Sequence, residues 1–109
     1  MGGGIPLQNV NSQTASWGGV NSTRSFTYSK MIDLFIVCRS GDSTYSIYKN
    51  NGDGTFTRIK YGTSGAIAVT FSADCKTATV TSSWGSSALY FIIAITTDNV
   101  GEVDYEIDT

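Results

Sequence analysis

The sequence predicts an all-β fold, an antiparallel and jelly-roll-like β-sandwich of about seven to eight short strands. Three observations lead there. The first is vocabulary. Among 109 residues, Gly, Ser, Thr and Asn number 12, 14, 14 and 6, whereas Leu, Glu and Gln number 3, 2 and 2. Strong helix formers are nearly absent, while ten Ile, seven Val and 13 aromatic residues supply what strands use. The second is period, because apolar residues either alternate with polar ones or run continuously, and no stripe recurs at helical spacing. The third is punctuation, with Gly, Asn, Asp and Ser clusters separating these runs at intervals of about 8–12 residues. A helical bundle, a coiled coil and a Rossmann-type domain are excluded. A chain that is 40% hydrophobic and 15% charged has enough apolar surface for one modest core, which argues against disorder.

Residues 1–24 read as an extended Gly/Ser/Asn-rich arm, with isolated apolar points at Ile5, Leu7, Val10, Trp17 and Val20 and room for one short strand. Residues 25–109 read as a single sandwich domain. Its first strand is short, 25–29, with Phe26 and Tyr28 on one face. Met31–Arg39 is almost continuously apolar and is expected to be central, with Ile32, Leu34 and Ile36 on one face and Phe35 and Val37 on the other. A strand at 44–49 places Tyr45 and Ile47 together. Asn50-Asn51-Gly52-Asp53-Gly54 is a hairpin turn in which Gly52 or Gly54 takes a positive φ. The chain returns over 55–61, with Ile59 and Tyr61 opposite Phe56, Arg58 and Lys60. Strand 66–72 points Ile67, Val69 and Phe71 inward. Strand 77–83 points Ala78 and Val80 inward and Thr77, Thr79 and Thr81 outward. Ala88–Thr97 is a second central strand, with Leu89, Phe91, Ile93 and Ile95 sharing a face. In Val103-Asp104-Tyr105-Glu106-Ile107-Asp108, apolar and acidic residues alternate as in an edge strand at 102–108, the other reading of this acidic segment being a solvated, negatively charged tail.

Charge and cysteine content narrow the function. The net charge is −2 and the sequence pI about 4.7. No basic patch marks nucleic acid as a partner. Five acids and no base fall in residues 98–109. No apolar run approaches the roughly 18 residues of a membrane-spanning helix. The first residues, Met-Gly-Gly-Gly-Ile-Pro, carry neither a basic region nor an apolar stretch and do not read as a secretory signal. Cys38 and Cys75 are too few for a disulfide scaffold. They read as free thiols of a reducing compartment, although pairing them would close a loop worth on the order of 4 kcal/mol.

The candidates for chemistry are few. The chain has no histidine, which removes the usual general base, the Ser-His-Asp and Cys-His arrangements and the commonest zinc ligand. Outside residues 98–109 the acids are Asp33, Asp42, Asp53 and Asp74, and only Asp33 lies within an expected strand, where it should face solvent or a backbone donor. No catalytic residue, cofactor site or metal site is expected. The segment NNGDGTF, residues 50–56, resembles the part of FG-GAP and VCBS repeats that follows their calcium-binding loop. Those repeats carry regularly spaced aspartates beforehand, whereas Tyr48 and Lys49 stand here. Calcium needs about six to eight oxygen ligands, so the segment is read as a plain hairpin. Trp17, Trp84, Tyr45, Tyr48 and Tyr61 lie near polar turns or on alternating faces and are the candidate ligand-binding residues, since exposed rings stack on the C–H faces of sugars. The competing reading is that such rings fill the core or a subunit interface.

The stretch 26–40, FTYSKMIDLFIVCRS, and the Gly/Ser/Thr/Asn-rich style of the whole chain resemble small virion proteins of tailed phages: fibre, tail-tip or capsid-decoration domains. The resemblance implies a non-enzymatic structural protein of the virion, assembled in the host cytoplasm. Its partners would be its own copies, with a trimer favoured, and other virion proteins. A carbohydrate-binding module or receptor-binding tip for bacterial surface glycans is the alternative. Neither nucleic acid nor a membrane is expected as a partner.

Overall fold

A computed structural model describes residues 8–19, 21–40, 44–62, 67–82 and 87–97. These residues form eight strands: β1 (Gln8–Trp17), β2 (Ser22–Thr27), β3 (Met31–Arg39), β4 (Tyr45–Asn50), β5 (Phe56–Gly62), β6 (Ile67–Phe71), β7 (Thr77–Ser82) and β8 (Ala88–Thr97). They build a five-stranded sheet in the order β1-β8-β3-β4-β5 and a three-stranded sheet in the order β2-β7-β6, and every pairing is antiparallel. The expected all-β sandwich is therefore present. The first strand pairs with the last and the second with the last but one, a nesting that jelly rolls share. The two strongest apolar runs, β3 and β8, lie side by side in the large sheet, as continuous hydrophobicity demands of central strands.

The small sheet covers one face of the large one. Ile32, Phe35 and Val37 of β3, Tyr90, Ile92 and Ala94 of β8, and Ala78 and Val80 of β7 are buried between them. Two aromatic groups bridge the layers. Trp17 stacks on Tyr90 at 4.0 Å between centroids and tilts against Phe26 of the other sheet. Phe71 of β6 stacks on Phe56 at 3.7 Å and meets Phe35 and Tyr48 edge-on. A buried hydrogen bond of 2.6 Å also joins Ser82 Oγ to the Tyr90 hydroxyl across the layers.

Residues 8–17, read in sequence as part of an arm, form the ten-residue edge strand β1. Its polar composition hides it, because most of β1 is exposed. The polar side chain of Asn11 is accommodated: its Nδ2 donates to the Ala94 carbonyl at 3.1 Å and to Thr96 Oγ1 at 3.2 Å. β2 starts at Ser22 and stops at Thr27, earlier than the expected 25–29.

Two bulges correct the expected faces. The register of β3 on β8 shifts between Ile32 and Leu34. A bulge inserts one extra residue and reverses the alternation, so Ile32 joins Phe35 and Val37 in the core and Asp33 becomes the inserted residue. β5 shifts against β4 at Ile59, which places Arg58 opposite Tyr48 but Lys60 opposite Ile47. Lys60 therefore leaves the face that holds Phe56 and Arg58. The expected strand 102–108 lies outside the described residues.

The β4–β5 turn is a hairpin in which both glycines take positive φ, 90° at Gly52 and 94° at Gly54. Asn50 anchors it. Its Nδ2 donates to the Ile32 carbonyl at 2.9 Å and its Oδ1 accepts from Gly52 N–H at 2.7 Å.

Candidate functional site

The most unusual surface belongs to the large sheet. Successive side chains of a strand point to opposite faces, and in β3 and β8 both faces are apolar. One set packs inward as described. The other set faces away from the small sheet: Leu34 opposite Ile95, Ile36 opposite Ile93, and Cys38 opposite Phe91. β4 extends it with Ile47 opposite Ile36 and Tyr45 opposite Cys38. β1 extends it with Val10 opposite Ile95. Val10 is 70% exposed, Met31 48%, Phe91 41% and Leu89 40%. None of these residues belongs to the core cluster, and among the described residues no strand lies over them. Lys49 and Lys60 stand on the β4 and β5 side of the same face.

The size of this face matters. Five strands about 4.8 Å apart and some 20–30 Å long cover on the order of 600 Å² in projection. A standard protein interface removes about 800 Å² per partner, and accessible area exceeds projected area. The whole outer face is thus of a size to form a specific interface, with its apolar residues concentrated on β3, β4 and β8.

Trp17, Tyr48 and Tyr45, three of the candidate ligand-binding aromatics, do not share a surface. Trp17 and Tyr48 are core residues, 8% and 9% exposed. The Trp17 ring is committed to Tyr90 and Phe26, and that of Tyr48 to Phe71. A sugar platform needs a free ring face, and burial removes it from both. Tyr45 is half-buried on the outer face, three residues along β4 from Tyr48 and so on the opposite side of the sheet. Tyr61 lies opposite Ser46 in the β4–β5 register. Trp84 lies outside the described residues.

The turn acids are satisfied locally. Asp53 Oδ1 accepts from Thr55 Oγ1 at 2.6 Å and from Thr55 N–H at 3.0 Å. The Thr55 hydroxyl and then its backbone N–H hold this carboxyl below the usual range. Asp74 is held low by the Ser72 hydroxyl first and the Lys76 N–H second. Among the described residues no three Cys, Asp or Glu side chains gather where they could hold a metal ion. Cys38 and Cys75 are free thiols. Cys38 is on the outer face of β3 and Cys75 is buried in the β6–β7 turn.

Comparison with protein-family models, with curated proteins and with solved structures gives no match. The outer face itself was missed by sequence reasoning, although its signal was present. A two-layer antiparallel sandwich needs only one apolar face per strand. Two adjacent strands that are apolar on both faces call for something to cover the second face.

Proposed function

We propose that this chain is a non-enzymatic structural protein of the virion type, a fibre, tail-tip or capsid-decoration component, that works by assembly. The observation that carries this reading is the apolar outer face of the five-stranded sheet, over which no strand of the described residues lies. Hydrogen-bonded ladders fix its shape, so little backbone ordering is needed on binding. Its Ile, Leu, Phe and Val side chains gain by leaving water. Its partners are other copies of the chain and neighbouring virion proteins. The phage-like style of the sequence gives the context, and the face gives the mode of action.

Sedimentation velocity tests it, together with peptide mass spectrometry of intact particles. The expected result is an oligomer whose association is lost on Phe91→Glu while the strand-type dichroism spectrum is kept. A chain that stays monomeric at every accessible concentration and is held by no virion component overturns the reading.

A further inference from the structure

Among the described residues the large sheet ends in two very different edges. β5 carries Arg58 and Lys60 and is bulged at Ile59, all devices that discourage a further strand from adding. β1 has none of them. Gln8–Trp17 contains no Lys, Arg, Asp, Glu or Pro, and its register against β8 is unbroken over all ten residues.

The ladder decides which β1 backbone groups face outward. Ser40 N–H, at the end of β3, donates to the Leu89 carbonyl at 2.8 Å, so Leu89 turns its backbone groups toward β3. Alternate residues of an antiparallel strand turn to opposite neighbours. Tyr90, Ile92, Ala94 and Thr96 therefore face β1, where they oppose Ala15, Gln13, Asn11 and Asn9. The intervening β1 residues direct their N–H and C=O groups away from the sheet. One direct contact agrees: the Ser16 carbonyl is free to accept from Arg24 Nη1, which reaches over from β2 at 3.5 Å. Among the described residues the outward set of β1 is Gln8, Val10, Ser12, Thr14 and Ser16, symmetric about Ser12, with the Ser16 carbonyl already engaged at one end.

We propose that β1 pairs antiparallel with β1 of a second copy across a two-fold axis through Ser12, fusing two five-stranded sheets into one. Ser12 of one copy lies opposite Ser12 of the other, and Val10 opposite Thr14, in about six hydrogen bonds by the antiparallel pattern. A second copy is the fitting occupant because the outward set is its own complement under a two-fold rotation. Self-pairing brings no like charges together, and it apposes two hydroxyls and a β-branched pair, favourable cross-strand neighbours. These pairs keep the outer faces of both copies on the same side. The apolar rows of the two β8 strands thus lie on one side of the fused sheet, with Val10 and the hydroxyls of Ser12 and Thr14 between them. This inference rests on the assembly reading and names its partner and contact.

Sedimentation equilibrium on the full chain tests it, with three variants at one exposed position. Ser12→Lys and Ser12→Asp should each weaken self-association by about tenfold or more, through apposed like charges. An equimolar mixture of the two should restore it. Ser12→Pro should abolish it while keeping the fold, because the lost N–H points away from β8. In the wild type, hydrogen exchange at Ser12 and Thr14 should slow as concentration rises. A dimer indifferent to all three variants, a strict trimer, or exchange at Ser12 that is protected independently of concentration overturns the pairing. If Phe91→Glu dissociates the wild-type oligomer and the Ser12 variants do not, the pairing fails and the assembly reading stands. A monomer that binds no virion component overturns both.

Discussion

The sandwich has two outer faces, and they are opposites. On the small sheet the outward residues include Ser25, Thr27, Thr77 and Thr79, whose hydroxyls pair across β2 and β7 at 2.9 Å and 3.0 Å. On the large sheet the outward residues include Leu34, Ile36, Ile47, Leu89, Phe91, Ile93 and Ile95. The first face meets water with cross-strand hydroxyl pairs that stabilise the sheet without asking for a cover. The second is apolar along β3 and β8, with Lys49 and Lys60 toward the β5 edge and Ser12, Thr14 and Ser16 along β1. Since the same chain builds both, β-propensity alone cannot explain the difference: threonine and isoleucine both suit strands, and only isoleucine gains by burial.

The largest expected effect separates the inner and outer faces of the large sheet. Phe35 is fully buried, whereas Phe91 is 41% exposed. Phe35→Ala should cost about 3–5 kcal/mol in urea unfolding, from lost transfer energy plus the cavity left behind. At concentrations where the chain is monomeric, Phe91→Ala should cost less than about 1 kcal/mol, as surface changes do. Equal losses at the two positions would show that both faces are packed within one copy, and the contrast would collapse.

A smaller effect compares the hairpins, one from each sheet. In the β4–β5 turn, glycine occupies both positions of positive φ, and a Cβ at Gly52 or Gly54 would meet no atom within 4 Å. Gly52→Ala and Gly54→Ala should each cost about 1 kcal/mol in thermal unfolding, all of it conformational. In the β6–β7 turn the corresponding strain is carried by Cys75, at φ 62°. Its surroundings hold it there. The side chain is buried, its N–H donates to the Ser72 carbonyl at 2.9 Å, and its carbonyl accepts from Ile32 N–H at 2.8 Å. Unchanged midpoints for both alanine variants would mean that the glycine turn is held by its side-chain network and not by backbone freedom.

Legibility in the sequence followed the same division. Strands with one apolar face, such as β7 with Ala78 and Val80 inward and Thr77, Thr79 and Thr81 outward, could be read residue by residue, because period 2 maps directly onto burial. The central strands β3 and β8 were recognisable, yet which of their faces lay inside was not, since both are apolar. The bulge at Asp33 then moved Ile32 to the opposite face, and a bulge leaves no signature in alternation until the partner strand is known. β1 was hidden for the converse reason. An edge strand with little to bury has no hydrophobic period, and Gln, Asn and Ser equally describe a loop. Trp17 and Tyr48 turned into the core because proximity to polar turns does not reveal ring direction. Trp17 precedes a Gly-Gly turn and still folds its indole against Tyr90.

The smallest expected effect concerns acid, and it samples both sheets at once. Asp53 belongs to the hairpin of the large sheet and Asp74 to that of the small one. Both carboxyls are held below their ordinary value by hydroxyl and backbone donors in the folded chain. Unfolding releases those donors, so the unfolded chain takes up protons at a higher pH than the folded one. The stabilisation from each carboxylate is therefore complete above the unfolded aspartate pKa, near 4, and drains away as pH falls through the lower folded value. Both groups are fully exposed, and solvent screening keeps the contribution modest. Between pH 5 and pH 2, a range that brackets an ordinary aspartate, the thermal midpoint of wild type should fall slightly more steeply than that of Asp53→Asn or Asp74→Asn. The asparagine keeps an acceptor for the Thr55 or Lys76 N–H without titrating. Since the two turns share the same local chemistry, the two variants should flatten the acid limb to a similar degree. A variant whose limb is as steep as wild type would show that its carboxylate bonds persist after unfolding.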